Sequence, residues 1–313
     1  MGGIIKKLLI IVFIALTVAG VFRTVAAEEL RNSWIKASDT KVIYFILPNE
    51  TNPYFRTLIE FVKKSGRELG YNVRAIFHDE ELEKEKKCFD SVIFDKPAAI
   101  IACCVDGTRS VANIVHAREE NIPTFLIDRE IEETDVAVAQ IISDTYSAAG
   151  KVAEIFVAYM GNEGIYAELY GIETAMNSKK RSDGFHEVLD LYQELLLADV
   201  DSASGYRELA KEKTLKMLAE YPGIQGVICS NDNMALGVID AMQESGTDLI
   251  VAGIDGTNEA RDQILAGNMV ATALQPIAKM AELVVKEADL YLKTGSINAP
   301  EIQRIECQLI TKA

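Results

Sequence analysis

Apolar and polar positions alternate along this chain in two rhythms. Short runs rich in β-branched residues are followed by longer segments whose apolar residues return every three or four positions, the patterns of strand and helix. Lys41–Leu47 (KVIYFIL) reads as a strand, Phe55–Leu69 as a helix with Leu58, Ile59, Phe61 and Val62 on its apolar side, and Val73–Phe77 as a second strand. A helix over Leu82–Phe94, a strand over Ala99–Cys103, a helix over Ser110–Glu120 and a strand over Pro123–Ile127 continue the series. Strands alternating with helices imply a parallel sheet covered on both faces.

After Val136–Ile142 the rhythm restarts, with helix Ser147–Met160, strand Ile165–Leu169, helix Lys179–Asp190 and strand Glu194–Ala198. Helix Arg207–Glu220, strand Gly226–Cys229, helix Met234–Ser245, strand Leu249–Gly253, helix Glu259–Ala266 and strand Val270–Leu274 follow. Pro276–Thr294 reads as a late helix and Gln303–Leu309 as a final strand. One sheet does not hold so many strands conveniently. The expected fold class is α/β, with two doubly wound parallel-sheet lobes joined near Ile142–Asp144.

The first 27 residues break this rhythm: Lys6 and Lys7 precede an apolar run from Leu8 to Gly20, and Val25-Ala26-Ala27 supplies small residues for cleavage. A run of about 13 residues is short of the ~20 that a spanning helix needs, so a signal peptide cleaved after Ala27 is expected. No cysteine near that point offers a site for lipid attachment. The location this suits is the periplasm. Loss of Lys6, Lys7 and Arg23 with no acid takes the formal charge from −15 to −18. So acidic a surface repels phosphate backbones and anionic headgroups, which argues against nucleic acid and membrane surfaces as partners.

Five cysteines, Cys88, Cys103, Cys104, Cys229 and Cys307, make an odd count for an exported chain, and most lie in apolar runs as small core residues do. With no CxxC pair and with His78, His116 and His186 isolated, no metal site or cofactor is expected.

Hydrogen-bonding residues recur where the expected strands stop: Asn52, Asp128-Arg129, Arg181, Asn231-Asp232, Asp255 and Gln275. In an open α/β sheet ligands bind beyond the carboxyl ends of the strands, so these residues should converge on one cleft. A sugar ring offers apolar C–H faces and a rim of hydroxyls that donate and accept. Tyr54 and Phe55 can stack on such a face, Asp128 and Asp255 accept from hydroxyls, Arg129 and Arg181 donate as fixed forks, and the amides do both. Each also has a plainer use. Asp128-Arg129 suits a helix-edge ion pair, Asn231 a helix cap, Asp255 a turn in Asp-Gly, and one of Tyr54 and Phe55 should pack inward.

Five stretches resemble the periplasmic sugar-binding proteins of the ribose-binding type, whose fold is shared with lactose-repressor-like effector domains. They are Asn52-Pro53-Tyr54-Phe55, Ile127-Asp128-Arg129, Arg181-Ser182-Asp183-Gly184-Phe185, the run from Ser230 to Gly237, and Gly253-Ile254-Asp255-Gly256-Thr257. The resemblance implies three crossings between lobes, near Ser143, Gln275 and Glu306. The N-terminal lobe would comprise 38–143 plus 276–305, and the C-terminal lobe 144–275 plus 306–313. It further implies a monomeric receptor that closes around a monosaccharide or polyol and delivers it to an ABC transporter permease, or signals to a chemoreceptor or sensor kinase. Departures mark the expected site: Cys103 stands where that pattern has Asn, Ile254 where it has Phe, Tyr54 where Phe is common, and Tyr206 near an expected aromatic. A different pentose, a hexose such as allose, or a linear polyol therefore remains open as ligand.

Catalysis is not expected. Asp128 and Asp255 pair as glycosidase carboxylates do, but the flanking Arg129 and Arg181 should hold both ionised and leave no proton donor. The chain carries no Gly-x-Ser-x-Gly elbow, phosphate-binding loop or dinucleotide fingerprint.

Overall fold

The computed structural model describes residues 42–312. The expected signal peptide, 1–27, and the expected start of the first lobe, 38–41, lie outside the described residues. The first run comprises β1 (Val42–Leu47), α1 (Pro53–Glu68), β2 (Asn72–Phe77), α2 (Leu82–Phe94), β3 (Ala99–Ala102), α3 (Val111–Glu119), β4 (Thr124–Ile127) and β5 (Ala139–Ser143). The second comprises α4 (Thr145–Met160), β6 (Gly164–Tyr170), α5 (Met176–Leu189), β7 (Leu195–Ser202), α6 (Arg207–Glu220), β8 (Ile224–Cys229), α7 (Asp232–Ser245), β9 (Ile250–Ala252), α8 (Asn258–Ala266) and β10 (Ala271–Leu274). Last come α9 (Ile277–Thr294), β11 (Ile302–Ile305) and β12 (Gln308–Thr311).

Two six-stranded sheets result, in the orders β11-β5-β4-β3-β1-β2 and β12-β10-β9-β8-β6-β7. The first pairs in parallel throughout, and the second does so except where β12 runs antiparallel to β10. In each sheet the strand that starts the lobe, β1 or β6, lies between the second and third strands of that lobe. Strand order therefore reverses beside β1 and again beside β6, and the loops leaving the strands there splay to opposite faces and open a crevice.

The β1 side chains show why these strands read as unbroken apolar runs. Ile43, Phe45 and Leu47 pack with Leu58 and Val62 of α1 and Val284 of α9, whereas Tyr44 and Ile46 pack on the other face with Phe89 and Val92 of α2 and Ile114 of α3. Both faces are buried, so the period-two alternation of a half-exposed strand is absent.

Two sequence readings are corrected. The final strand expected over Gln303–Leu309 is two strands in different sheets, because β11 pairs with β5 whereas β12 pairs with β10, and Glu306-Cys307 carry the chain between them. The helix expected from Lys179 begins at Met176, with Asn177 and Ser178 in its first turn. The five cysteines are free thiols, and all but Cys88 are buried.

Close helix pairing rests on glycine. A Cβ at Gly237 of α7 would stand 2.2 Å from the carbonyl oxygen of Arg207, 2.9 Å from Ala210 Cβ and 3.0 Å from the Lys211 nitrogen, mostly backbone of α6 that cannot rotate aside. Gly237→Ala is therefore expected to force α6 and α7 apart and lower stability by about 1–3 kcal/mol. Urea unfolding checks it through a lower midpoint at unchanged slope.

Candidate functional site

The loops at the carboxyl ends of the strands of both sheets line a cavity of ≈ 400 Å³. The first lobe supplies Asn52, Tyr54 and Phe55 after β1, Glu80 after β2, and Asp128 and Arg129 after β4. The second supplies Ser178 and Arg181 from α5, Tyr206 before α6, Asn231 after β8 and Asp255 after β9, while Gln275 sits where β10 leaves for α9. Nine of the ten residues expected from sequence therefore meet at one cavity. The tenth, Cys103, is fully buried and does not line it; its thiol lies behind the wall, donating to Asp128 Oδ2 at 3.4 Å.

Local chemistry explains the placements. Asn52 caps α1, its Oδ1 accepting from the Tyr54 N–H at 2.9 Å, and Pro53 at the first helical position starts the helix with a preset φ. The cap aims the first turn, with Tyr54 and Phe55, across the crevice. Asn231 caps α7 in the same way, accepting from the Met234 N–H at 2.9 Å, so capping and cavity lining coincide. Asp128 and Asp255 occupy equivalent places, each following the fourth strand of its lobe, and both have positive φ, 72° and 142°. Non-glycine residues held there cost about 1–3 kcal/mol each, a strain that backbone bonds to the neighbouring strand maintain: Asp128 N–H to Ile141 O and Asp255 N–H to Ala273 O, each 3.0 Å. Asp232, the second acid of the 231–232 pair, is fully buried away from the cavity, where it accepts from the Thr257 N–H and the Thr272 hydroxyl and so fixes the turn after Asp255.

A hydrogen-bonded chain crosses the floor between the lobes. Tyr54 donates its hydroxyl to Asp128 Oδ1 at 2.7 Å, with Gln275 Oε1 a second acceptor at 3.2 Å. Ser143, at the end of β5, also donates to Gln275 Oε1. Gln275 Nε2 donates in turn to Asp255 Oδ1 at 2.7 Å, beside which Arg181 Nη1 stands at 3.5 Å while donating to Ser230 O at 2.7 Å. Tyr54 and Phe55 pack edge to face at 5.4 Å, and the Arg129 guanidinium sits 5.6 Å from the Phe55 ring centre. Both aromatics are buried in the core of the first lobe and still reach the cavity.

Burial decides the charge states. It pushes the Asp255 carboxyl up to about 8, against the pull of Arg181. The expectation that both aspartates are held ionised by neighbouring arginines is corrected at Asp255, because desolvation outweighs one guanidinium at 3.5 Å. A carboxyl titrating near neutrality both accepts from and donates to a hydroxyl. The Nε–H groups of Arg129 and Arg181 are buried and make no hydrogen bond among the described residues, with Asp128 Oδ2 3.9 Å from Arg129 Nε.

Glu80 was missed by sequence reading. Its carboxylate takes Arg129 Nη1 and Nη2 at 2.8 Å each, while Arg129 Nη1 also reaches Cys104 O at 3.2 Å. The rule that located the other residues, position just past a strand, also applies to the loop after β2. Behind Glu80, His78 is fully buried, its Nε2–H donating to Cys103 O at 2.9 Å and its Nδ1 accepting the Glu80 N–H at 3.2 Å. That arrangement requires neutral imidazole. Burial lowers its pKa from 6.5 to about 4.

A family model described as a periplasmic binding protein domain matches residues 43–296. The chain is 38% identical over 289 residues to the D-apiose import binding protein of Actinobacillus succinogenes, covering 92% of this chain and 93% of that one. It is 37% identical to the D-apiose import binding protein of Paraburkholderia graminis, covering 88% and 89% respectively. Among solved structures, an ABC transporter periplasmic solute binding protein from Actinobacillus succinogenes with bound D-allose superposes with a TM-score of 0.80 at 20% identity, covering 86% of this chain and 97% of that chain.

The His78 geometry carries a pH dependence of stability. A histidine whose pKa is depressed by folding contributes stability that is present above its unfolded value and lost as pH falls through the folded one. Unfolding free energy should therefore drop by up to ~3 kcal/mol from this group between pH 6.5 and about 4. Comparing urea midpoints of the wild type and His78→Gln across that range isolates the effect, and the variant should show the shallower acid slope.

Proposed function

The chain belongs to the periplasmic binding protein family, and from that premise we propose that it is the extracytoplasmic receptor of a sugar importer, holding one neutral monosaccharide or polyol between its lobes. The observation that carries the proposal is the buried chain Asp128–Tyr54–Gln275–Asp255–Arg181, contributed by both lobes and by a crossing between them. Acceptors, donors and an amide that serves as both are spaced along one floor, as a ring bearing hydroxyls on every edge requires. A cavity of ≈ 400 Å³ falls within the ~300–1,000 Å³ of small-molecule sites. Phe55 and Tyr206 supply aromatic surface on opposite lobes for the C–H faces.

The ring of site residues is drawn from both lobes, so a ligand binds fully only when they are together. Closure by hinge rotation at the three crossings presents a joined outer surface to a membrane permease. D-Apiose, for which two relatives are named, is the first sugar to test, followed by D-ribose and D-allose. The family places the protein in the periplasm, and the route we propose is export by a signal peptide cleaved after Ala27.

Three measurements test this reading. A ligand at 100 times its dissociation constant should raise the unfolding free energy by about 2.7 kcal/mol, visible as a thermal shift with one of these sugars and not with amino acids. Asp255→Ala should abolish calorimetric binding while leaving the protein folded, since it removes a buried carboxyl that both accepts from and donates to a hydroxyl and also takes from Gln275 Nε2 its acceptor. Unchanged affinity would mean that the ligand lies elsewhere. Intact mass of the exported protein should begin at Glu28.

A further inference from the structure

The loop between β2 and α2 puts a carboxylate where a sugar site built from arginines would otherwise be open to acids. Glu80 and the preceding Asp79 both have left-handed backbone, with φ of 62° and 50°, a conformation that non-glycine residues adopt only where surroundings hold it. The Glu80 N–H bond to His78 Nδ1, and the His78 bond to Cys103 O, supply that hold. So anchored, Glu80 occupies both terminal nitrogens of Arg129, the paired donors that match a carboxylate or phosphate in the bidentate geometry. What Arg129 leaves without a hydrogen bond among the described residues is the single Nε–H, which has only Asp128 Oδ2 near it, at 3.9 Å.

Of the other two guanidinium groups lining the cavity, one is fully committed and one in part. Arg207 is held by Asp240 on two nitrogens and by Glu259 on a third, and Arg181 Nη1 is given to Ser230 O beside Asp255. Among the described residues, four carboxyl side chains line the cavity, Glu80, Glu208, Asp128 and Asp255, against these three guanidinium groups. The field of Glu80 reaches the opposite lobe, where it and Asp79 add to the burial that raises the Tyr206 phenol.

Resting on the reading of this cavity as a monosaccharide site, we propose that Glu80 is its charge filter: by filling the Arg129 fork, it makes the site accept neutral sugars and reject sugar acids. A uronate keeps the ring of its parent sugar and differs at one terminal carbon, so shape alone separates the two poorly. A carboxylate brought to an occupied fork meets the Glu80 charge and finds no paired donors, whereas a hydroxyl needs only the single Nε–H.

The test is calorimetric titration of the full-length protein and two variants with D-apiose, D-ribose and D-allose and with the aldonates and uronates of five and six carbons. The wild type should bind a neutral sugar at least tenfold more tightly than any acid. Glu80→Gln keeps the shape but sets an amide against the guanidinium, so it should weaken the neutral sugar at least tenfold and bind at least one acid tenfold or more better than the wild type does. Glu80→Asp keeps the charge and should go on rejecting acids, which separates charge from packing, and thermal melts show that both variants fold. Acid binding in the wild type equal to that of the sugar, no gain of acid binding in Glu80→Gln, or the same gain in Glu80→Asp overturns the filter while the sugar reading stands. A wild type that binds none of the neutral sugars overturns the sugar reading and the filter with it.

Discussion

The hydrogen-bonded chain through Tyr54, Gln275 and Asp255 is the constraint around which the rest of the molecule is arranged. Each member is at least 95% buried, so each polar atom has lost water and has to be met by protein or ligand. No single lobe can meet them: Tyr54 and Asp128 come from one, Arg181 and Asp255 from the other, and Gln275 from a crossing between them. The two aspartates stand at positive φ, held there by backbone bonds to the neighbouring strand. Preorganisation of this kind reduces what a ligand must spend on ordering the site.

The succession of strands and helices and the convergence of most site residues were legible in the sequence because they follow from local pattern. Runs such as Val42–Leu47 are apolar throughout since both their faces are covered, and residues just past such runs are delivered to one edge of the sheet. The apolar count alone merges the final two strands because Glu306-Cys307 interrupts them by only two residues, whereas the family resemblance implies a crossing near Glu306. The ionisation of Asp255 was misjudged for a related reason: the arginine near it is visible in the motif, while the burial that outweighs it belongs to the folded state. Glu80 escaped notice because its partner Arg129 lies 49 residues away, and a pairing across two loops leaves no periodic trace. Cys103 shows the opposite case, since its position past β3 is as expected but its side chain lies behind Asp128 instead of in front of it.

The two lobes also divide the work of holding charge. In the first, Arg129 is clamped by Glu80 and backed by Phe55, so its guanidinium is a fixed part of the wall. In the second, Arg181 has one strong bond, to Ser230 O, and stands 3.5 Å from a carboxyl whose proton affinity burial has raised. The first wall has a set polarity and the second can adjust its protonation to the hydroxyl it meets.

The late return of the chain to the first sheet bears on how the molecule is made. β5 is flanked by β4 on one side and by β11 on the other, with Gln140 paired to Ile302. Until Ile302–Ile305 emerge, β5 is an open edge and the first lobe lacks its sixth strand. Contacts so distant in sequence close slowly, because the entropy of bringing their ends together is lost before any pairing is gained. A chain synthesised from its amino end therefore completes neither sheet until β11 and β12 have emerged, long after the strands they pair with.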